Sequence, residues 1–580
     1  MFGHLIKYSE AYTGEEPQNP IDLIKEIPKA ELIATIVAIN SRLNPIYSQY
    51  IDDSRETQIE CLRVIFLDDQ NPIEQSVCLK FIKGYLATPH NHFLVSRITC
   101  LYALQEILNE NNFAEKSPLY TVDIRENIFK FLLIINSKIL EFDKHYKEGN
   151  SQELGENFFD FFMFKELIHN QYLHNCNTPN FFYKSFIFLK ILENDEIFGN
   201  HFKDYLQQTF GVRSFIDFFK NQMYTYFISY DKKLKFNYLN IYKSEQDTIK
   251  ILDVFSIRNT FDKPEFDDPK IFDFLDLKKS PLYKQNDNLR EDTIAYLVLD
   301  NKLFLEKNYS LFINDFWFDY LKPNNICNRT DWGNFVGNKF FEPFIENIFN
   351  ISFKNNKNIV FKHTYQLKIK LKGKSEIEYA DYYIRYKNKI ILAEAKSNYL
   401  PVINGYKTVK TKEDFEKIDI EKFYKDYGLI QLAKKNIKEF HNYKWKLNDF
   451  GFNFNRKVEI YPTLIVNDYI FSSGYSSMAF KRKFERLMKE EGIEIENDQH
   501  KIYPLTIFNV ADLQNIQNTL ENKTENIFNI IRHYHSSTSL EKIRQTGNTS
   551  LGLLTIEHSI NKLIKKGLVP KNIKNLNWLK

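Results

Sequence analysis

A chain of 580 residues exceeds one typical domain, so two or three are expected. Its 43% hydrophobic and 26% charged content describes a folded soluble protein and excludes a disordered one. A net charge of +3 supplies no global field, so any nucleic-acid-binding surface has to come from local clustering of cations.

Phenylalanine (52) and tyrosine (35) are abundant, as are Asn and Lys, which points to a biased genome before base-stacking surfaces. The five cysteines, Cys61, Cys78, Cys100, Cys176 and Cys327, are widely spaced and odd in number. That pattern fits a reducing compartment without a disulfide framework. Met1 to Lys7 carries no signal-peptide apolar region. The most apolar patch, Phe131 to Ile135, soon reaches Asn136 and Lys138, far short of the ~18 residues a membrane span needs. A cytoplasmic protein with no membrane partner is expected.

Residues 1–150 read as a helical domain. Leu23, Ile24 and Ile27 lead to Pro28, and an apolar face continues from Leu32 to Ile39. Cys61 to Leu67 and Phe93 to Leu108 show similar spacing, with breaks at Asn71-Pro72 and Pro89-His90. A bundle or helical array is predicted, without a fixed-period repeat. The polar stretch Lys147 to Gln152 marks a boundary.

Residues 151–325 read as a second helical domain or a continuation of the first. Phe158, Phe159, Phe161, Phe162 and Phe164 form an aromatic run suited to a helical core. His169, His174 and Cys176 lack a fourth partner and match no tight zinc spacing, so they are read as ordinary helix and loop residues. Residues 260–290, with Pro264, Pro269 and Pro281, look like a linker or surface excursion. Helical patterns return at Asp292 to Leu299 and Leu311 to Leu321, and Pro323-Asn324-Asn325 closes the region.

A third domain is expected over residues 326–535. Phe335, Val336, Phe340, Phe341, Phe344, Ile345, Ile348 and Phe349 repeat at helical spacing, with Pro343 disturbing the helix near Glu342. Ile359 to Leu371 reads as one strand whose lysines either line an approach to a phosphate backbone or form a solvated face. Gly373-Lys374-Ser375 is no nucleotide-binding loop, because the first glycine such a loop requires is replaced by Lys368.

Tyr379 to Lys396 then reads as two strands joined at Lys387-Asn388. With a two-residue loop, Tyr386 opposes Lys389 and Asp381 opposes Glu394. Opposed residues bring their Cβ atoms to roughly 4.5–5.5 Å. Two carboxylates that close repel unless one stays protonated or a divalent cation lies between them. Lys396, two residues past Glu394, emerges on the same face. An acidic pair beside an ammonium suits phosphodiester hydrolysis. The spacing acid-any-Lys recurs at Asp231, Asp268, Asp276, Asp300 and Glu521, but only Glu394-Ala395-Lys396 closes an apolar strand opposite another acid. The competing account is a surface hairpin with charged ends.

Phe415 to Tyr427 and Leu429 to Phe440 read as helix, punctuated by Gly428. Val458 to Val466 and Ile502 to Phe508 read as buried strands, and Val510 to Leu513 opens a helix. Strands alternating with helices predict a mixed sheet covered on both faces. Residues 536–580 form a basic helical tail, in which Ile556, Ile560, Leu563 and Ile564 share a face before Gly567. Its lysines suit either the helix dipole or nucleic-acid contact. His533 and His535 are given no role.

Asp381 followed by Glu394-Ala395-Lys396 at the end of an apolar strand resembles the PD-(D/E)XK, or restriction-endonuclease-like, nuclease superfamily. The resemblance covers roughly residues 330–535, about a third of the chain, and departs from the pattern in having Ala380 where Pro is usual. It implies an α+β multidomain chain: an all-α N-terminal region followed by a restriction-endonuclease-like α/β core with a mixed central sheet. It further implies Mg²⁺, or Mn²⁺ in its place, held by Asp381, Glu394 and the backbone carbonyl of Ala395. Lys396 would orient the attacking water. Glu342, with Glu346 as the alternative, would be the helix acid that reaches the metal. Gln431 would contact the scissile region, with Lys434 and Lys435 available for phosphate.

The function so implied is a metal-dependent endonuclease acting on DNA, with RNA acceptable to the same chemistry. A large helical region joined to such a core is similar to prokaryotic restriction and anti-phage defence proteins. The N-terminal half would then bind a partner protein or a second copy of the chain. The alternatives are a nucleic-acid-binding or scaffold protein with an inactive nuclease-like core, and a helical interaction protein whose hairpin is mere surface.

Overall fold

The computed structural model describes residues 4–46, 51–66, 72–116, 122–147, 159–163, 177–231, 235–257, 274–285, 291–363, 366, 368–370, 376–397, 415–443, 449, 452, 456–467 and 474–564. His169, His174, Cys176, the Gly373-Lys374-Ser375 tripeptide, Pro264, Pro269 and the tail lysines from Lys565 onward lie outside the described residues. The chain divides into two units: Met1–Asn150, Tyr172–Thr178 and Lys184–Cys327 form the first, and Ser151–Gln171, Pro179–Tyr183 and Asn328–Lys580 the second.

The first unit holds helices and a sheet. Helix α1 (Lys29–Leu43) buries Leu32, Ile33, Ile36, Val37, Ile39 and Leu43, the stripe its sequence spacing dictates. Helix α2 (Arg97–Asn109) is capped by Ser96, whose side chain accepts from the Thr99 amide, and is buried along nearly its whole length. Strands β1 (His4–Leu5) and β2 (His92–Phe93) make a short parallel pair. Strands β3 (Tyr230–Asp231), β4 (Phe236–Tyr242), β5 (Leu282–Lys284) and β6 (Thr293–Val298) form an antiparallel sheet in the order β3-β4-β6-β5.

This sheet corrects the expectation of an all-α N-terminal region. It also corrects the helix expected over Asp292 to Leu299, which is β6. A short, continuous apolar run such as Thr-Ile-Ala-Tyr-Leu-Val has no period that separates a buried helix from a buried strand. Its six residues are long enough for a strand, and α1 covers the sheet by packing on β4 and β6. At the head of the next helix, buried Asp300 caps the Lys302 and Leu303 amides at 2.9 Å and takes both arms of buried Arg97, at 2.6 and 2.7 Å. Burial works against the Asp300 carboxylate, but Arg97 outweighs it and holds the pKa down at about 2. Cys61, Cys78 and Cys100 are buried thiols in this unit.

The second unit is built on a six-stranded mixed sheet. Its path is β13 (His500–Ile502), β12 (Val458–Val466), β11 (Lys389–Lys396), β10 (Tyr382–Tyr386) and β7 (Ile359–His363), with β14 (Thr506–Asn509) also on β12. Strands β7, β10 and β11 are antiparallel neighbours, whereas β12 runs parallel to β11, β13 and β14. Strand β12 is buried at every position but one, as a strand covered on both faces must be.

Two expected strands are divided. The run from Ile359 to Leu371 supplies β7 to the main sheet, but Lys368–Lys370 (β8) pairs with Glu376–Glu378 (β9) in a separate ribbon. The run from Ile502 to Phe508 splits into β13 and β14 around Pro504, which has no amide to give β12. Helix α3 (Glu342–Phe353) packs on β7 and on a helix, labelled α6 below, that follows β14. Helices α4 (Ile420–Asp426), α5 (Gly474–Glu490), α6 (Val510–Glu521), α7 (Ile527–Ser537) and α8 (Ile556–Leu563) are among the other helices of the unit. His535, on α7, is tied to Thr506 of β14 at 2.9 Å, and His533 to Ser559 of α8 at 3.0 Å, both structural contacts.

Candidate active site

The β10–β11 hairpin has the register expected from a two-residue loop: Tyr386 pairs with Lys389, and the ladder runs to Tyr382 with Ala393. Lys387 takes the left-handed conformation that such a tight loop demands, with φ 56°. The loop is tied to β12, because the Asn388 carbonyl accepts the Glu459 amide at 2.9 Å and its side chain donates to the Lys457 carbonyl at 2.7 Å.

At the open end of the ribbon the ladder gives way to side chains. The Asp381 amide still donates to the Ala393 carbonyl, at 3.1 Å. Its Oδ2 then accepts the Ala395 amide at 2.7 Å. Ala395 therefore reaches the site through its N–H. Glu394 is fully buried; Oε1 accepts from Lys396 Nζ at 2.6 Å and Oε2 from Asn436 Nδ2 at 2.7 Å. Lys396 Nζ also reaches Gln431 Oε1 at 3.5 Å.

The electrostatics follow from packing two acids and one cation in a dry place. Burial raises the Asp381 pKa, against the pull of Lys396 and the Ala395 amide. Burial, and then the neighbouring Asp381, push Glu394 up to about 8 despite its bonds to Lys396 and Asn436. For Lys396, burial acts against the ammonium, but the Glu394 and Asp381 carboxyls prevail and raise its pKa. One surplus negative charge is thus poorly accommodated without a further cation.

The helical side of the site comes from residues 428–443. Gly428 sits at φ 74°, and a Cβ there would lie 2.6 Å from Lys396 Cε and 2.9 Å from Glu394 Cγ, so only glycine lets the helix start so close. Residues Gln431–Ile437 take π-helical form before α-helix resumes. In an α-helix a residue five positions on points about 140° away. The wider π turn brings Gln431 and Asn436 to one face, where Gln431 meets Lys396 and Asn436 meets Glu394. Lys434 is engaged by Glu490 at 3.3 Å and Glu491 at 3.7 Å, whereas exposed Lys435 exerts its charge on Asp381.

Glu342 begins α3 directly after a π-helical stretch, Phe335–Phe341, that accommodates the missing amide of Pro343. Its carbonyl accepts the Tyr382 hydroxyl at 2.7 Å, which anchors the helix to the hairpin. Its carboxylate adds to the field that raises Lys396. Glu346 instead meets His363 at 3.5 Å. Neither completes a cluster of three acids: among the described residues no group of three or more His, Cys, Asp or Glu is placed to hold a metal ion.

The structure therefore gathers Asp381, Glu394, Ala395, Lys396 and Gln431, and leaves Glu342 beside them. Two further residues belong to the site: Asn436, for which the sequence suggests no role, and Gly428, expected only as a break between helices. Comparisons with protein-family models, with curated proteins and with solved structures each returned no match.

Proposed function

We propose that this chain is a metal-dependent phosphodiesterase, an endonuclease acting on DNA, and that its six-stranded sheet is a restriction-endonuclease-like core. One observation carries the proposal: Asp381, Glu394 and Lys396 converge at the open end of one ribbon, with Lys396 on Glu394 at 2.6 Å. The donor set suits a hard cation. Magnesium takes one or two carboxylates and completes its shell with water and phosphate, so two acids suffice. Asp381 and Glu394 would hold it, and burial raises the pKa of both acids, with Asp381 adding to the shift of Glu394.

The bound ion would polarise a phosphoryl oxygen and acidify water. The chain's own groups do the rest. Lys396 is kept charged by its neighbours and placed to orient the attacking water and to offset charge on the phosphorane. Gln431 fixes the ammonium, and Asn436 fixes the carboxylate plane of Glu394. Glu342 contributes through its charge on Lys396 and through the Tyr382 anchor.

The test is cleavage of a supercoiled plasmid, with a labelled RNA in parallel, in Mg²⁺ or Mn²⁺. Wild type is expected to cut, with DNA preferred. Asp381→Ala, Glu394→Ala and Lys396→Ala should each lose at least about 10²-fold in rate while keeping native circular dichroism. Cleavage that survives any of the three at near wild-type rate refutes the assignment. A wild type that binds DNA without cutting it identifies an inactive nuclease-like core.

A further inference from the structure

Residues 159–163 belong to the same unit as the hairpin. Phe159 and Asp160 from that segment, with Ala479, Arg482, Lys483 and Arg486 of α5, line a surface cavity of about 190 Å³. Three cations and Asp160 thus share its lining, and one of the cations, Lys483, is paired with Glu421. Arg482 and Arg486 are one turn apart on the helix and share a face. The Arg482 guanidinium lies 3.8 Å over the Phe159 ring, a cation–π contact that restrains it at the cavity. Lys483 is buried, lies near the Tyr424 ring at 5.7 Å, and pairs with Glu421, whose own side chain is 64% exposed. Asp160 is engaged by the Tyr424 hydroxyl and also interacts with the charges of Arg486 and Lys483.

From this geometry we infer that the cavity binds a backbone phosphate of the nucleic-acid substrate, flanking the cleaved bond. A planar arginine fork, a second arginine and a lysine in one concave site match the tetrahedral oxygens of a phosphodiester. The cavity is also placed for it. Glu421 and Tyr424 lie on α4, which leads directly into the helix carrying Gln431. Helix α5 lies beside both and runs in the same direction: Lys483 pairs with Glu421, and farther along both segments Lys438 meets Glu491, just past α5, at 2.7 Å. Seven residues separate Tyr424 from Gln431, a stretch that spans at most about 25 Å even fully extended. That places the cavity within about seven nucleotides of the hairpin at about 3.4 Å each. The inference rests on the nuclease reading of the hairpin and adds a substrate contact to it.

The experiment measures anisotropy of a fluorescein-labelled DNA duplex over a series of KCl concentrations, using the full chain with Asp381→Ala to prevent cutting. Arg482→Ala and Arg486→Ala are each expected to weaken binding about 3- to 10-fold, independently of sequence, and to lower the slope of log Kd against log salt by about 1. Arg482 is exposed, so its removal leaves folding intact, and Arg482→Lys should recover the slope but only part of the affinity. An unchanged slope and affinity in the double variant overturn the inference. If the parent chain also cuts plasmid, the nuclease reading stands and only the cavity falls; if it neither cuts nor binds, both fall together. Stabilisation by inorganic phosphate that the double variant abolishes, with DNA binding unaffected, overturns the backbone assignment in favour of a free phosphate ligand.

Discussion

Glu394 accounts for most of the unusual chemistry at the residue scale. Its ordinary pKa of 4.5 rises to about 8 because burial and Asp381 both disfavour the anion. The folded chain therefore keeps a proton there that the unfolded chain gives up at about 4.5. Between those two values the folded state binds more protons, so this group's stabilising contribution is full below 4.5 and is lost as pH rises through about 8. A divalent ion reverses the preference by taking the proton's place. We expect Mg²⁺ binding near pH 7 to release close to one proton and its affinity to climb with pH until about 8. Calorimetry in two buffers of different ionisation enthalpy reads both effects. Glu394→Gln should abolish the proton release, and its persistence there would place the titration elsewhere. The hairpin end of this arrangement was legible from the numbering alone, since strand alternation and a two-residue loop dictate which side chains meet. Asn436 was not, because its arrival at Glu394 depends on a π-helical turn that no local pattern announces.

At the scale of elements, the sheet and helix boundaries were set by residues that interrupt a pattern. Pro504 divides an edge strand, and Gly428 divides two helices. Both are visible in the sequence, but only the fold shows what each makes room for. Gly428→Ala is expected to destabilise the chain by about 1–2 kcal/mol, because φ 74° suits glycine and a Cβ would press on Lys396. The pressure falls on a side chain that can move, so the greater loss should be in cleavage rate, with Lys396 displaced from Glu394. Denaturant unfolding and plasmid cleavage on the same variant separate the two. A variant that loses stability but cuts normally would show that the close approach serves packing alone. By contrast, β6 carries no strand signature in the sequence, because Ile294–Val298 has no polar alternation and burial on both faces erases the period-two signal.

At the scale of the whole chain, each unit carries a chemical marker of its own. The second has the acidic pair of the hairpin, which a divalent ion should stabilise by about 2.7 kcal/mol at a hundredfold excess over Kd. The first has the buried Arg97–Asp300 pair, in which the acid also caps a helix. Removing that acid strands a buried guanidinium, a change worth about 3–5 kcal/mol. Differential scanning calorimetry is therefore expected to show Mg²⁺ raising the transition of the second unit, with no effect in Asp381→Ala. Asp300→Asn should lower the transition of the first unit and leave the magnesium-responsive one in place. Should Asp300→Asn instead shift the magnesium-responsive transition by the same amount, the two units unfold as one cooperative body. Ion binding at the hairpin would then stabilise the first unit as well.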